Sequence, residues 1–296
     1  MQHDRVSSFF ETITPEILSP ADYTDWEAIE AKVTTLRREI ALLNSLDKKN
    51  AVTDLADLLH TSPKILLVLQ LLVAHTPQKI FFNDPTKYID FTIDLGVMAK
   101  DQQRAKQIAE IFVEMGLLQF LQRVRSIEDM VRGVFIGLEP NTRKNRRGTK
   151  LELLLNDLVA STVTNLNRDF EGPLSFERQM YADLLHERKK VDYLILKDGK
   201  PAVAIEVNFY STSGSKPSEV LGRAYPDVQE HLRQKGIGFI VITDGNGWND
   251  MKPVIRTAFD KLNHVMNIKQ AQGGELENVV REILSAPESS ALQPAA

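Results

Sequence analysis

The spacing of apolar residues changes character about midway along the chain. Up to about residue 138 they recur at helical intervals. In DWEAIEAKVTTLRREIALLNSL, the residues Ile29, Val33, Leu36, Ile40 and Leu43 lie three or four apart, which predicts an amphipathic helix with Asp25 as its N-cap. SPKILLVLQLLVAHT predicts a second helix, capped by Ser62 with Pro63 at its first position. KDQQRAKQIAEIFVEMGLL predicts a third, ending at Gly116, and SIEDMVRGVFIGL a fourth, from Ser126 to near Gly137. Beyond RKNRRGTK the pattern alternates. TKLELLLNDLVASTVTNL reads as a helix, and LSFERQMY, VDYLIL and PAVAIEVNFY read as strands. PSEVLGRAYPDVQEHLRQKG follows as a helix, with Pro217 in its first turn and Gly236 at its end. IGFIVIT is a short buried strand, NDMKPVIRTAFDKLNHVM a helix, and residues 265–268 a last strand. The order α-β-β-β-α-β-α predicts an α/β fold, a mixed sheet with helices on its faces, preceded by a helical N-terminal region. The expected division is a helical region over 1–140, a core over 141–285 and a flexible tail, SAPESSALQPAA, over 286–296.

VTDLADLLHTSPKILLVLQLLVAH could be read as a helix-turn-helix, since two short amphipathic segments meet at HTSP. A DNA-reading second helix must expose polar side chains, and Ile65 to Leu69 together with Leu71, Leu72 and Val73 leave almost no such face. A core helix is expected there.

Composition narrows the chemistry. With 296 residues, 43% of them hydrophobic, the chain can bury a sizeable core. No apolar run approaches the ~18 to 20 residues that span a bilayer, and MQHDRVSSFFETITPEIL lacks a basic leader and an apolar signal core, so a cytoplasmic location is expected. The absence of cysteine excludes disulfides and thiolate-ligated zinc. A net charge of −4 gives no overall reason to expect a polyanion, yet Arg143, Lys144, Arg146, Arg147 and Lys150 crowd into one stretch with no acid among them. Such a run is either a solvated basic turn or a phosphate-binding patch.

The strand that leads into AIEVNFYSTSGSK, residues 204–216, buries Val203, Ile205, Val207 and Phe209 on one side and leaves Glu206 and Asn208 together on the other. Asp192 begins the preceding strand, and KDGK joins the two as a hairpin. A two-residue turn at Asp198 and Gly199 places Asp192 opposite Ile205, so that the acids diverge. A longer connection or a bulge places it opposite Glu206. The second register is predicted, because paired carboxylates at a sheet edge can hold a divalent cation. Mg²⁺ takes one or two protein carboxylates and leaves the rest to water and phosphate. Glu152, on the helix after the basic stretch, is a third acid.

The order of helix acid, Asp192 and Glu206-Val207-Asn208 on this core resembles the PD-(D/E)XK nuclease superfamily. RKKVDYLI, IEVNFYSTSGSKPSEV and ITDGNGW resemble, more narrowly, the DpnII/MboI-type type II restriction endonucleases. The resemblance implies a restriction-endonuclease-like αβββαβ core and Mg²⁺-dependent hydrolysis of double-stranded DNA at GATC, leaving 5′-phosphate ends. It implies Asp192, Glu206 and the Val207 carbonyl as metal ligands, with Glu152 assisting. Asn208 stands where lysine is common, and an amide cannot act as a base. The candidate proton acceptors are then Lys216, a metal-bound hydroxide and the substrate phosphate.

Arg143, Lys144, Arg146, Arg147, Lys150 and Arg223 are the expected phosphate contacts, and Ser211, Ser213, Ser215 and Lys216 the groups near the bases. A palindromic target implies a homodimer, and a host bearing such sites implies a companion adenine methyltransferase. A non-catalytic DNA-binding module, a junction or repair nuclease of the same fold and a helical scaffold are the competing readings.

Overall fold

The computed structural model describes residues 2–46, 49–182 and 189–286. The chain divides into two compact units, residues 20–145 and residues 1–19 with 146–296.

The first unit is mainly helical. Asp25 caps the helix Trp26–Thr35 by accepting the Ala28 N–H at 2.9 Å, as the pattern predicts, but the helix breaks at Leu36 and resumes as Arg37–Asn44. Helices Ala51–Thr61 and Ile65–Leu72 follow. The expected cap at Ser62 is corrected. The carbonyls of Ser62 and Pro63 accept the N–H groups of Ile65 and Leu66, both at 3.0 Å, so residues 62–64 form a tight turn and the helix starts at Ile65. Ile65, Leu66, Val68 and Leu69 are fully buried, which makes this a core helix rather than a groove reader. The unit also holds a hairpin, β1 (Lys79–Phe81) and β2 (Tyr88–Asp90), too short for alternation to reveal it.

Helix Ile127–Leu166 runs for 40 residues, and the division between the units falls within it. The predicted stop at Gly137 and the predicted basic turn are both corrected: residues 143–150 are helical. The Ser126 hydroxyl caps the start by accepting the Asp129 N–H at 3.0 Å. Pro140 and the glycines cost roughly 3 and 1 kcal/mol. Burial of Val131 at one end and of Leu155, Val159 and Leu166 at the other outweighs them.

The second unit carries a five-stranded sheet: β3 (Leu174–Ala182), β4 (Lys189–Lys197), β5 (Lys200–Phe209), β6 (Gly238–Asp244) and β7 (Val265–Met266), in that spatial order. β3, β4 and β5 are antiparallel, whereas β5, β6 and β7 run parallel. With its helices this is the restriction-endonuclease-like mixed-sheet core. One face packs Tyr193, Val203, Ile205 and Ile240 against Leu155 and Val159 of the long helix and Val280 of Leu276–Ser285. The other packs Ala204, Phe239 and Val241 against Tyr225–Gln234, Lys252–Lys261 and Phe9 of Gln2–Glu11. Among the described residues no helix is long and apolar enough to cross a membrane. Residues 287–296 of the expected tail lie outside the described residues.

Candidate active site

Two features of the β4–β5 hairpin decide where its acids go. Asp198 and Gly199, with φ of 52° and 74°, form the two-residue turn between paired Lys197 and Lys200. Both are left-handed, which suits a hairpin's twist. That turn alone would separate the acids. Beyond it, however, Leu196 pairs with Pro201 while Ile195 pairs with Val203, so Ala202 is an extra, bulged residue and the register shifts. Tyr193 then faces Ile205, the last pair of the ladder, and the same register continued by one residue brings Asp192 level with Glu206. The second register is the one observed.

Asp192 Oδ2 accepts the Val207 backbone N–H at 2.8 Å, tying the two strand ends together. A cleft of about 150 Å³ opens here, lined by Glu152, Arg178, Gln179, Asp192 and Val207. Glu152 reaches it because positions 148, 151, 152 and 155 of the long helix share one face. Its carboxylate pairs with Arg178 at 3.1 Å, and its carbonyl accepts the Tyr193 hydroxyl at 3.2 Å. Gln179 lies between the Arg178–Tyr193 and Met180–Val191 pairs, opposite Asp192, with a left-handed φ of 49°. Only Asp192, Glu152 and Val207 of the expected metal group share the cleft lining; Glu206 is buried beside it.

Glu206, 8% exposed, accepts the Tyr225 hydroxyl through Oε2 at 3.2 Å. Asn208 donates through Nδ2 to the same hydroxyl, and its Oδ1 accepts the Tyr210 hydroxyl at 3.1 Å. Burial, reinforced by the Glu206 charge, pushes both phenols above their ordinary values, so they stay protonated donors.

Within the basic stretch, Arg147 holds Glu16 bidentately at 2.9 and 2.6 Å and lies over the Phe209 ring at 5.9 Å. Its guanidinium holds the Glu16 carboxyl below the usual range. Arg143 donates to the Tyr23 carbonyl at 2.9 Å and stacks on that ring, within the first unit. Lys144 and Lys150 are exposed, and Arg146 is half-buried. Ser211 and Ser213 lie in the loop after β5, while Ser215 and Lys216 open the short helix Ser215–Glu219 rather than continuing the loop. Arg223 is exposed on the following π-helical turn.

The loop is held from below by the turn after β6. The Gly247 N–H donates to the Tyr210 carbonyl at 2.8 Å, and the Tyr210 N–H to the Asp244 carbonyl at 2.9 Å. A Cβ on Gly247 would come within 2.5 Å of the Thr212 backbone. The Asp244 carboxylate accepts N–H groups from Thr14 at 2.7 Å, Gly245 at 2.8 Å and Ile268 at 3.0 Å.

Among the described residues no group of three or more His, Asp or Glu side chains is placed to hold a metal. An acid pair with a neighbouring carbonyl is a set of hard oxygens of the size that would suit Mg²⁺, which keeps much of its water. Tyr225, Arg178 and Glu16 escaped sequence reading. Tyr225 occupies a core position, in step with Leu221, Val228 and Leu232, and only its hydroxyl's need for a buried partner could have flagged it.

A five-stranded mixed sheet with helices on both faces, carrying Asp192 and Glu206 on neighbouring strands, defines a restriction-endonuclease-like protein. The family model described as DpnII restriction endonuclease matches residues 5–278, and the chain belongs to that family. It is similar to the type II restriction enzyme DpnII of Streptococcus pneumoniae, 30% identical over 92% of this chain and 96% of that one. The type II restriction enzymes MjaIII of Methanocaldococcus jannaschii and MboI of Moraxella bovis are each 26% identical, covering 88% and 85% of this chain and 93% and 88% of theirs. The enzyme class is thus type II restriction endonuclease.

Proposed function

We propose that the chain hydrolyses phosphodiester bonds of double-stranded DNA at GATC, in a Mg²⁺-dependent reaction that leaves 5′-phosphate and 3′-hydroxyl ends, on a fold of the PD-(D/E)XK kind. The observation that supports this reading is the bulge-shifted register, which pairs Tyr193 with Ile205 and so brings the next residues, Asp192 and Glu206, level with each other. We assign the chemistry to the unit of residues 1–19 and 146–296.

Asp192, Glu206 and the Val207 carbonyl would hold Mg²⁺, with Glu152 at the edge of the same cleft. When bound, the ion supplies acidity to water and offsets charge developing on the phosphate. The chain's own groups do the rest. Asp192 fixes the Val207 peptide through its N–H. Glu152 holds the Arg178 guanidinium at the cleft, where it can meet a phosphate oxygen. Arg143, Lys144, Arg146, Arg147, Lys150 and Arg223 contact backbone phosphates, which orient the duplex without reading it. Ser211 and Ser213 reach base edges from the loop that Gly247 holds in place, Ser215 and Lys216 from the first turn of the short helix after it, and Lys216 is also a candidate to take the proton from water.

The palindrome favours a homodimer, and an adenine methyltransferase protects the cytoplasmic host DNA. The test is digestion of adenine-methylated and unmethylated plasmid with Mg²⁺ or with chelator, followed by end sequencing. Discrete fragments cut at GATC are expected with Mg²⁺ alone. Binding without nicking would mean a DNA-binding module, and cutting confined to junctions a structure-specific nuclease. Either outcome overturns the reading.

A further inference from the structure

We infer that Tyr225 is a positioning residue for Glu206, the last member of a directed hydrogen-bond chain that runs from Tyr210 through Asn208. The inference rests on Glu206 as a metal ligand, the assignment made above. The Tyr210 hydroxyl donates to Asn208 Oδ1 at 3.1 Å, Asn208 Nδ2 donates to the Tyr225 hydroxyl, and Tyr225 donates to Glu206 Oε2 at 3.2 Å. Each donor points toward the carboxylate, so the bonds polarise one another in one direction.

Both ends of the chain are anchored. Tyr225 is 3% exposed, with its ring edge-on to Phe239 at 5.6 Å. Tyr210 stands edge-on to Trp248 at 5.1 Å, and its backbone is pinned by Asp244 and Gly247. With its carbonyl and one amide N–H used inside the chain, Asn208 acts on Glu206 through Tyr225. The residue in the usual lysine position is thereby a structural link, and Tyr225 on the following helix supplies a donor to the carboxylate's Oε2. Hydrogen-bond partners of this kind fix a ligand's rotamer, and losing one costs about 10–100-fold in metal affinity or activity.

The test compares full-length wild type, Tyr225→Phe, Tyr210→Phe and Glu206→Ala. Cleavage of a duplex is followed across Mg²⁺ concentration, and Mn²⁺ is titrated calorimetrically into each protein bound to a non-cleavable phosphorothioate duplex. Tyr225→Phe should lower kcat and weaken Mn²⁺ binding by about 10–100-fold, with KM for DNA within about twofold. Tyr210→Phe, one link further out, should do the same to a smaller extent. Wild-type kcat and Mn²⁺ affinity in Tyr225→Phe, beside an inactive Glu206→Ala, would overturn the positioning role and leave the ligand assignment standing. A Glu206→Ala protein that binds Mn²⁺ and cleaves normally would overturn both. Should Tyr225→Phe melt far below wild type, Tyr210→Phe decides the matter: unchanged metal affinity and kcat there reject the chain.

Discussion

Asp192 and Val207 are joined across β4 and β5 by a carboxylate-to-amide hydrogen bond of 2.8 Å, so one side chain both closes the strand end and faces the cleft. The two jobs can be separated. Asp192→Asn keeps a carbonyl oxygen able to accept the Val207 N–H but lowers the charge that a cation requires. It should unfold within about 1 kcal/mol of wild type while cleavage falls by at least about 100-fold, beyond the cost of an outer-shell change. Denaturant melts run beside plasmid nicking check this. Near-normal cleavage would remove Asp192 from the proposed site.

Glu16 and Arg147 answer a different question, namely how much of the basic stretch is available to DNA. The pair is bidentate and partly shielded, with side-chain exposures of 30% and 17%, and is worth about 1 kcal/mol after allowance for solvent. The folded Glu16 pKa lies below its usual 4.5, so its contribution is complete above that value and is lost as the pH falls through the lowered one. The melting difference between wild type and Glu16→Gln should therefore vanish on acidification. At neutral pH, Glu16→Gln also removes the negative charge beside Arg147, so the salt slope of DNA binding should steepen by up to about one. An unchanged slope would mean that no phosphate comes near Arg147.

Much of the core was legible because alternation and helical spacing report burial directly. The strands at Val191 to Leu196 and Val203 to Phe209, and the helices around Leu155 and Val228, follow their apolar faces. The register was legible only as a choice, since the DG turn favoured one answer and the bulge at Ala202, which has no signature of its own, imposed the other. Gly137 read as a stop, and RKNRRGTK as a turn, because local propensity was weighed without the distant burial that outweighs it. Glu206, Asp192 and Asn208 were visible as polar residues on a strand end. Tyr225 and Glu16 were hidden because their partners are 19 and 131 residues away in sequence.

Gly247 explains part of ITDGNGW in physical terms. A Cβ there would lie 2.5 Å from the Thr212 carbonyl oxygen and 2.8 Å from that of Tyr210, and backbone atoms cannot swing aside. Gly247→Ala should push the loop bearing Ser211 and Ser213 away, at about 1–3 kcal/mol of overpacking. Cleavage and DNA affinity should fall together, whereas Gly133→Ala, exposed on the long helix with open space around its added methyl, should be nearly silent. Equal behaviour of the two variants, in melting and in cleavage, would rule out the loop-seating role.

Asp244 sets the stability of the same end of the sheet. It is fully buried and satisfies three backbone donors from three separate segments, Thr14, Gly245 and Ile268. Asp244→Ala orphans all three, at about 1–3 kcal/mol each, and should cost several kcal/mol. Asp244→Asn retains one acceptor oxygen and should cost less. The pH dependence runs opposite to that of Glu16. Burial raises the folded pKa above the usual 3.8, so the stability linked to Asp244 is full below that value and declines as the pH rises through the raised one. The gap between wild type and Asp244→Asn should accordingly narrow from acid toward neutral pH, while the gap to Glu16→Gln widens. Because Thr14 is two residues from Glu16, freeing it should also loosen the Arg147 pair beside Phe209. Asp244→Ala should then lose the steep acid dependence that Glu16 confers, and an Asp244→Ala protein that keeps it would show that the two anchors act independently.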